Sequence, residues 1–464
     1  MSSRQDQLHS YQFMIQRVVA ALVMRETDPA RSPFRRAAGA TLASVLIAVI
    51  AVGAVAAYGA IVGGGATGWR DPSVVIVEKE SGARYVYRDE KLHPVLNYAS
   101  ALLIAESARP RTVLVSRASM EGVPRGVPLG IPDAPDSLAA PDRLTSAPWT
   151  VCSAPLDDRR KSVRSVLLVG VTADGGRVLQ DEAVLAQHPD GSLHLLWRQH
   201  RHRVRVPEQD LAFTALGWAG ARPVPVAPAL LNVLPAGADL APVPIASRGE
   251  WSEMVGAQIG QVFVVKSLSG EQHYVVAKRD GLAGVTQMQA VLLLAVSGQG
   301  EPTELPQGRF ARLPRLPDLS PADAGAPPAA PPRLAAVDSG VLCGQIRDDR
   351  GAPQLRIEVA PPDVADLGTG ARSPAGGALA DHIVVAPGRG AVVEAAASPG
   401  ATGGAICVVT DLGRRYPVTD AEVLTLLGYD EVQPLRLPAG LVALVPAGPA
   451  LDPAAARTPA IGSA

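Results

Sequence analysis

Leu230-Leu231-Asn232-Val233-Leu234-Pro235-Ala236-Gly237-Ala238-Asp239-Leu240 returns 211 residues later as Leu441-Val442-Ala443-Leu444-Val445-Pro446-Ala447-Gly448-Pro449-Ala450-Leu451. The preceding Leu216-Gly217-Trp218 matches Leu427-Gly428-Tyr429 at the same offset. A second pair lies upstream. Val74-Val75-Ile76-Val77-Glu78, followed by Ser81-Gly82 and Arg84-Tyr85-Val86, corresponds to Val262-Phe263-Val264-Val265-Lys266, Ser269-Gly270 and Tyr274-Val275-Val276. Both read as strand, Ser-Gly turn, strand, and each runs into a helix-like stretch, at 94–105 and 284–295. Cys152 and Cys343 hold matching places. Matches in the same order mark a tandem duplication over about 70–245 and 258–453. A duplicated chain folds most simply about an internal pseudo-twofold axis, with small units outside a shared central sheet. Residues 166–169 and 355–359 read as central strands, Asp174-Gly175 as a turn, and Pro-rich 316–335 as a linker or surface excursion.

The fold class expected is therefore a β-rich α+β region, and it follows a membrane anchor. No charged residue occurs between Arg36 and Arg70, and residues 42–62 are Leu, Ile, Val, Ala and Gly with only Ser44 and Tyr58 polar. As a helix that stretch reaches about 31 Å, the thickness of a hydrocarbon core. A secretory signal peptide would carry a shorter apolar region, although Ala54-Val55-Ala56 resembles a cleavage site. We expect one retained span over 37–63. Arg4, Arg17, Arg25, Arg31, Arg35 and Arg36 face only Asp6, Glu26 and Asp28, whereas the far flank is neutral, so the N-terminus is expected in the cytoplasm and the remainder outside.

Within residues 1–36, Leu8, Tyr11, Ile15, Val18, Val19 and Leu22 recur at a spacing of three and four. This is the pattern of an amphipathic helix. Its polar face (Gln5, Gln7, Gln12, Gln16) carries too little positive charge to hold anionic lipid, which favours docking on a partner over resting on the leaflet. Asp28-Pro29 to Pro33 should break it before the span.

Three cysteines in an exported region leave one over. A pseudo-twofold axis would bring Cys152 and Cys343 together as a disulfide, and Cys407, in Ala405-Ile406-Cys407-Val408-Val409, reads as a small buried hydrophobe. Lys plus Arg is 43 against 44 Asp plus Glu, so no basic footprint for nucleic acid exists. None of the five lysines follows a glycine, so the phosphate-cradling Gly-x-x-x-x-Gly-Lys motif is absent. Gly63-Gly64-Gly65-Ala66-Thr67-Gly68 trails the span and reads as an exit linker. His200-Arg201-His202, near His194, fits strand alternation better than zinc, and Asp157-Asp158 and Asp348-Asp349 read as loop charges. No catalytic or metal site is expected, and no cofactor-binding residues are assigned.

Ser3-Arg4-Gln5-Asp6-Gln7-Leu8-His9-Ser10-Tyr11-Gln12-Phe13 before a single span resembles the EccB family of the actinobacterial type VII (ESX) secretion system. So do His93-Pro94-Val95-Leu96-Asn97-Tyr98-Ala99-Ser100-Ala101-Leu102-Leu103-Ile104, Gly126-Val127-Pro128-Leu129-Gly130-Ile131-Pro132, and Trp149-Thr150-Val151-Cys152. The resemblance implies four small repeat units around a central β core with a core disulfide. Laid on this sequence, they become a linker at 64–73, units at 74–110, 193–245, 258–300 and 401–453, core segments at 111–192 and 336–400, and a disordered tail at 454–464. It also implies a structural subunit of the inner-membrane complex, paired as a homodimer within a hexameric assembly with EccC, EccD, EccE and the mycosin protease. The alternative is an extracytoplasmic ATP-hydrolysing subunit, for which ATP would be the ligand.

Overall fold

In the computed structural model the described residues are 4–24, 33–62, 68–146, 148–156, 162–207, 209–267, 269–319, 323, 325–350, 353–364, 368–370, 372–373 and 376–460. The chain divides into two bodies, residues 1–71 with 118–121, and residues 72–117 with 122–464. The first contains helices α1 (Arg4–Met24) and α2 (Pro33–Val62). α2 begins four residues before the expected start of the span at 37. Proline suits a first helical turn, because its missing N–H would have no intrahelical partner there. Residues 39–57 are apolar on all sides and none of that stretch is buried, so this is the one helix among the described residues long and apolar enough to cross a membrane. Of the break expected from Asp28 to Pro33, residues 28–32 lie outside the described residues and Pro33 begins α2; of the exit linker expected over 63–68, residues 63–67 lie outside them.

The second body alternates small sheets with segments of a central one. β1 (Val74–Glu78), β2 (Arg84–Arg88) and β3 (Lys91–Pro94) form an antiparallel meander. Helix α3 (Tyr98–Ala105) packs on β1 and β2, and β4 (Arg111–Val115) returns parallel to β1, giving the order β3-β2-β1-β4. The β1–β2 turn closes on Gly82 at φ +73°, a left-handed conformation that favours glycine. Asn97 caps α3 by accepting from the Ser100 N–H at 3.0 Å. β5 (Trp149–Pro155), β6 (Val163–Val169) and β7 (Asp174–Val178) follow and belong to the central sheet.

The second small sheet comprises β8 (Val184–Gln187), β9 (Leu193–Trp197), β10 (His200–Arg203), the helix Gln209–Ala215 and β11 (Val224–Pro225), in the order β10-β9-β8-β11. A two-stranded ribbon, β12 (Trp251–Ser252) with β13 (Ala257–Gln258), precedes the third. That sheet is β14 (Val262–Lys266), β15 (Gln272–Lys278), β16 (Gly281–Val285), the helix Gln287–Ser297, β17 (Thr303–Glu304) and β18 (Arg315–Leu316), ordered β17-β14-β15-β16-β18. Next come the central strands β19 (Leu342–Ile346), β20 (Gln354–Ala360) and β21 (His382–Val385). The fourth sheet is β22 (Ala391–Ala396), β23 (Ala405–Val409), β24 (Arg415–Pro417), the helix Glu422–Leu426 and β25 (Leu435–Pro438), ordered β24-β23-β22-β25. All four small sheets share one connectivity, a three-strand meander, a helix, and a strand parallel to the first.

The central sheet has the order β21-β6-β5-β19-β20-β7. β5 and β19 run antiparallel with Cys152 opposite Cys343. Trp149, Val151, Leu167 and Leu342 pack there with Leu230 and Leu231 from the helix Pro228–Val233 and with Leu441 and Val442 from Ala439–Val442. The two copies of the opening repeat thus supply matching helices to one core. The small sheets also pair by helix. α3 and Leu129 share a core with Leu424, Leu427 and Tyr429 of the fourth, while Ala212 and Leu216 of the second pack on Met288 and Leu292 of the third.

Several boundaries differ from the sequence reading. β4 belongs to the first sheet although it lies beyond 110, and β8 to the second although it precedes 193. β18 extends the third beyond 300, and β22, placed at 336–400 by sequence, is a middle strand of the fourth. The cause is shared: parallel strands pair across a helix, and short apolar runs do not announce their sheet. Asp174-Gly175 starts β7 and is no turn; Gly175, opposite Val359, and Gly176 adopt positive φ within the ladder against β20, as does Glu358 opposite Gly176. The register is the same on both sides of Gly176 and Glu358, so the ladder is interrupted there without an inserted residue. The tail expected at 454–464 is ordered through 460. The helix Pro453–Ala456 packs on α3, Ala456 is fully buried, and the Ala460 N–H donates to the Pro128 carbonyl at 2.8 Å. Residues 461–464 lie outside the described residues.

Candidate functional site

The sequence singled out the apolar stripe of α1 and the cysteine pair. On α1, Leu8, Tyr11, Ile15, Val18 and Leu22 are exposed, between 45% and 74%, and Val19 is half-buried. Phe13, Met14 and Val23 are exposed as well. Phe13 lies about 170° around the helix from the middle of the stripe by the 3.6-residue period, so the apolar surface is broader than the spacing suggested.

In the central sheet the sulfurs of Cys152 and Cys343 are bonded, their Cα atoms 4.0 Å apart and both side chains buried. The bond joins the two halves at the middle of the sheet. Cys407 is a buried free thiol on β23; burial raises its pKa, the condition of an inert packing residue rather than a reactive one.

The histidines do not converge. His200 and His202 share one face of β10, with ring centroids 6.3 Å apart, while His194 on β9 faces the other way, opposite Arg203. His202 is fully buried, and its Nδ1 sits 2.8 Å from the Ala238 carbonyl. Burial holds its pKa below the ordinary histidine value, which makes Nδ1 the donor of a neutral ring. No group of three or more metal-ligating side chains occurs among the described residues. Asp348 and Asp349 accept backbone bonds, from the Arg350 N–H and the Gly400 N–H, and Asp157-Asp158 lies outside the described residues.

A cleft of about 1060 Å³ is open and runs over the third sheet past Tyr274, Thr286, Phe310 and Asp318. A smaller one of about 280 Å³ brings together His188, Asp190, His194, Arg201, Arg203 and Asp239 on the second. Its two carboxylates are paired, while the Arg201 guanidinium donates to the Leu234 carbonyl. Asp190 pairs with His188 at 2.9 Å, and Asp239 with Arg205 at 2.9 Å. Bonds from Ser192 and then His188 hold the Asp190 carboxyl far below the usual carboxylate range. The smaller cleft sets the Ser192 hydroxyl 3.3 Å from His194 Nε2, but His194 Nδ1 has no hydrogen-bond partner, so no carboxylate orients that imidazole as a base.

The sequence reading missed a feature common to all four sheets. After each helix the chain comes back along the outer edge of the meander's third strand as Pro124-Arg125-Gly126, Pro235-Ala236-Gly237, Pro314-Arg315-Leu316 or Pro446-Ala447-Gly448. The proline carbonyl accepts from Leu92, Arg201, Leu282 and Arg415 respectively, at 2.9 Å each time. A leucine five residues on (Leu129, Leu240, Leu319, Leu451) then donates its N–H to the same region of Pro94, Arg203, Gly284 and Pro417. The signal, Pro followed by Leu at i+5, stands in all four places, but only 235–240 and 446–451 are also alike in the residues between.

One apolar helix of membrane-spanning length and a region built of small sheets on a disulfide-linked central sheet describe a membrane-anchored scaffold. The sequence model described as "Type VII secretion system ESX-1, transport TM domain B" matches residues 1–460, and the chain belongs to that family, the EccB components of the ESX secretion machinery. It is 30% identical to the "ESX-3 secretion system ATPase EccB3" of Mycolicibacterium smegmatis, over 96% of this chain and 88% of that one. Among solved structures it resembles a chain of an intact ESX-5 inner membrane complex, with a TM-score of 0.67, 26% identity, and coverage of 100% of this chain and 96% of that one. It also resembles the EccB3 dimer from the ESX-3 core complex, with a TM-score of 0.62, 29% identity, and coverage of 83% and 99%.

Proposed function

We propose that this chain is a structural subunit of a type VII inner-membrane complex, anchored by α2 with α1 in the cytoplasm and the sheets outside, and paired with a second copy. The observation that carries the reading is full-length similarity to a chain of an assembled inner-membrane complex. What supports the outward placement is the arginine-rich flank before α2 against the neutral flank after it. The exposed α1 stripe would then meet cytoplasmic parts of EccC and EccD, and the sheets would meet EccE, the mycosin protease and further copies within a hexameric assembly.

The same reading takes the outer region as a tandem duplication about the β5–β19 junction. An antiparallel pair has a local twofold axis. About it, β6 matches β20, the first small sheet matches the third and the second the fourth, so the first–fourth and second–third helix contacts become equivalent. Trp218 and Tyr429 support it. Each follows a positive-φ glycine, its N–H bonding back to Phe213 or Leu424, and its polar tip donates to a backbone carbonyl, of Pro332 or Ala139.

ATP hydrolysis is the second reading, favoured by the name that the Mycolicibacterium relative bears. Against it stands the missing phosphate loop. The deciding experiment measures ATP turnover by the full chain in lipid nanodiscs, purified free of contaminating ATPases. Turnover proportional to protein, and abolished by substitutions in one cleft with the fold intact, would make it an enzyme; background rates together with recovery of the assembled complex support the structural role.

A further inference from the structure

The four small sheets close one edge alike and leave the other to a single strand, β4, β11, β17 or β25. Three of these strands are blunted. β11 contains Pro225, β25 ends on Pro438, and β17 is two residues long between Pro302 and Pro306. Proline cannot donate to a ladder, and short edges resist pairing. β4, Arg111-Thr112-Val113-Leu114-Val115, has five residues and no proline within it. Sheet order ends at β4, and no strand among the described residues pairs with its outer side. Thr112 is exposed, and Leu114 is 61% exposed.

The direction of its backbone groups follows from one bond. The Lys79 N–H donates to the Val115 carbonyl at 2.9 Å, so Val115 faces β1. Backbone groups alternate along a strand, so Val113 and Arg111 face β1 too, and Thr112 and Leu114 direct their N–H and C=O away from the sheet. We infer that β4 is a self-pairing edge, joining β4 of a second copy of this chain antiparallel about Val113. Thr112 then lies opposite Leu114 of the second copy and exchanges both backbone bonds, four in all, and the first sheet becomes one of eight strands.

The charge layout suits a second copy in particular. Arg111 falls opposite Val115 and not opposite itself, so the strand brings no like charges face to face. Further out Arg117 approaches Arg109 of the second copy, but Arg117 already holds Glu78 at 2.6 Å, with the Glu78 carboxyl buried. An antiparallel edge contact is isologous, the closed twofold form from which most dimers are built.

The inference rests on the paired-subunit reading, and the full chain in nanodiscs or mild detergent tests both separately. In antiparallel pairing Val113 meets its own copy across a non-bonded site with Cα atoms about 4.5 Å apart, within disulfide range. Val113→Cys should therefore form a covalent dimer under mild oxidation, while Thr303→Cys on β17 should not. Leu114→Pro removes an outward N–H and no bond to β1, and should raise the dimer dissociation constant about tenfold, the size expected of two lost bonds; Leu114→Val should leave it unchanged. If Leu114→Pro fails to fold, the cysteine result decides alone. A dimer in which Val113→Cys stays unlinked overturns the edge pairing and leaves the paired reading standing. A full chain that stays monomeric overturns both.

Discussion

The backbone of Gly237 lies against the imidazole of His202 so closely that a Cβ at 237 would fall 2.4 Å from the ring. Gly448 stands in the same relation to Tyr416 at 2.3 Å, and Gly126 to His93 at 2.2 Å. The Pro-x-Gly return therefore depends on glycine for close approach to a ring on the third strand, not for an unusual φ. Replacing Gly237 or Gly448 by Ala should cost about 1–3 kcal/mol through overpacking. Gly300→Ala, with nothing within 4 Å, should cost under about 0.5 kcal/mol. Chemical denaturation of the three variants measures the difference, and equal midpoints would refute the packing argument.

His202 should make the second sheet sensitive to acid. Burial lowers its pKa from 6.5, the nearby His200 adds to that, and the Ala238 bond and Asp239 oppose it. The folded chain thus keeps the ring neutral where the unfolded chain takes up a proton. The stability is complete above about pH 6.5 and declines as pH falls toward the lowered folded value, at no more than about 1.4 kcal/mol per pH unit. His202→Tyr, which copies Tyr416, should flatten unfolding midpoints between pH 7 and 5. Unchanged slopes would exclude His202 as the source.

Joining residues 191 apart in sequence, the Cys152–Cys343 bond should contribute about 2–5 kcal/mol by constraining the unfolded chain. Non-reducing peptide mapping should find the two linked and Cys407 alkylated only after unfolding. The double Cys→Ser variant should retain the β5–β19 ladder but unfold at lower denaturant. Three free thiols in oxidised protein would remove the covalent link between the halves.

For α1 the expected loss is of partners and not of fold. A helix in a protein draws most of its stability from the packing of its apolar face, so a docking surface would supply most of that of the 21-residue α1. Ile15→Asp with Val18→Asp would place charges in an apolar contact, costing several kcal/mol if they are buried unpaired. The variant should insert and form its disulfide, yet fail to co-purify with EccC and EccD. Complete recovery of the complex would assign α1 to the membrane surface.

The local signals were legible because they are local. The span is a run without charge, the hairpins announce themselves through Ser81-Gly82 and Ser269-Gly270, and the duplication through the copies at 230–240 and 441–451. Three-residue turns and helical spacing need no knowledge of what lies across the sheet. Sheet membership was not legible for β4, β8, β18 and β22, since each joins its sheet through contacts remote in sequence. The matched cysteines pointed to a bridge, but only the register of β5 on β19 sets Cys152 against Cys343. The tail read as disordered because proline and alanine carry little periodicity; what orders it is Ala456 against α3 and Ala460 on Pro128, surfaces that exist only once the first and fourth sheets have met. Sequence determined the apolar span, the Ser-Gly hairpins and the like segments at 230–240 and 441–451, while tertiary structure alone decided which edges are sealed and which, like β4 among the described residues, pair with no further strand, because an edge is defined by the neighbour it lacks.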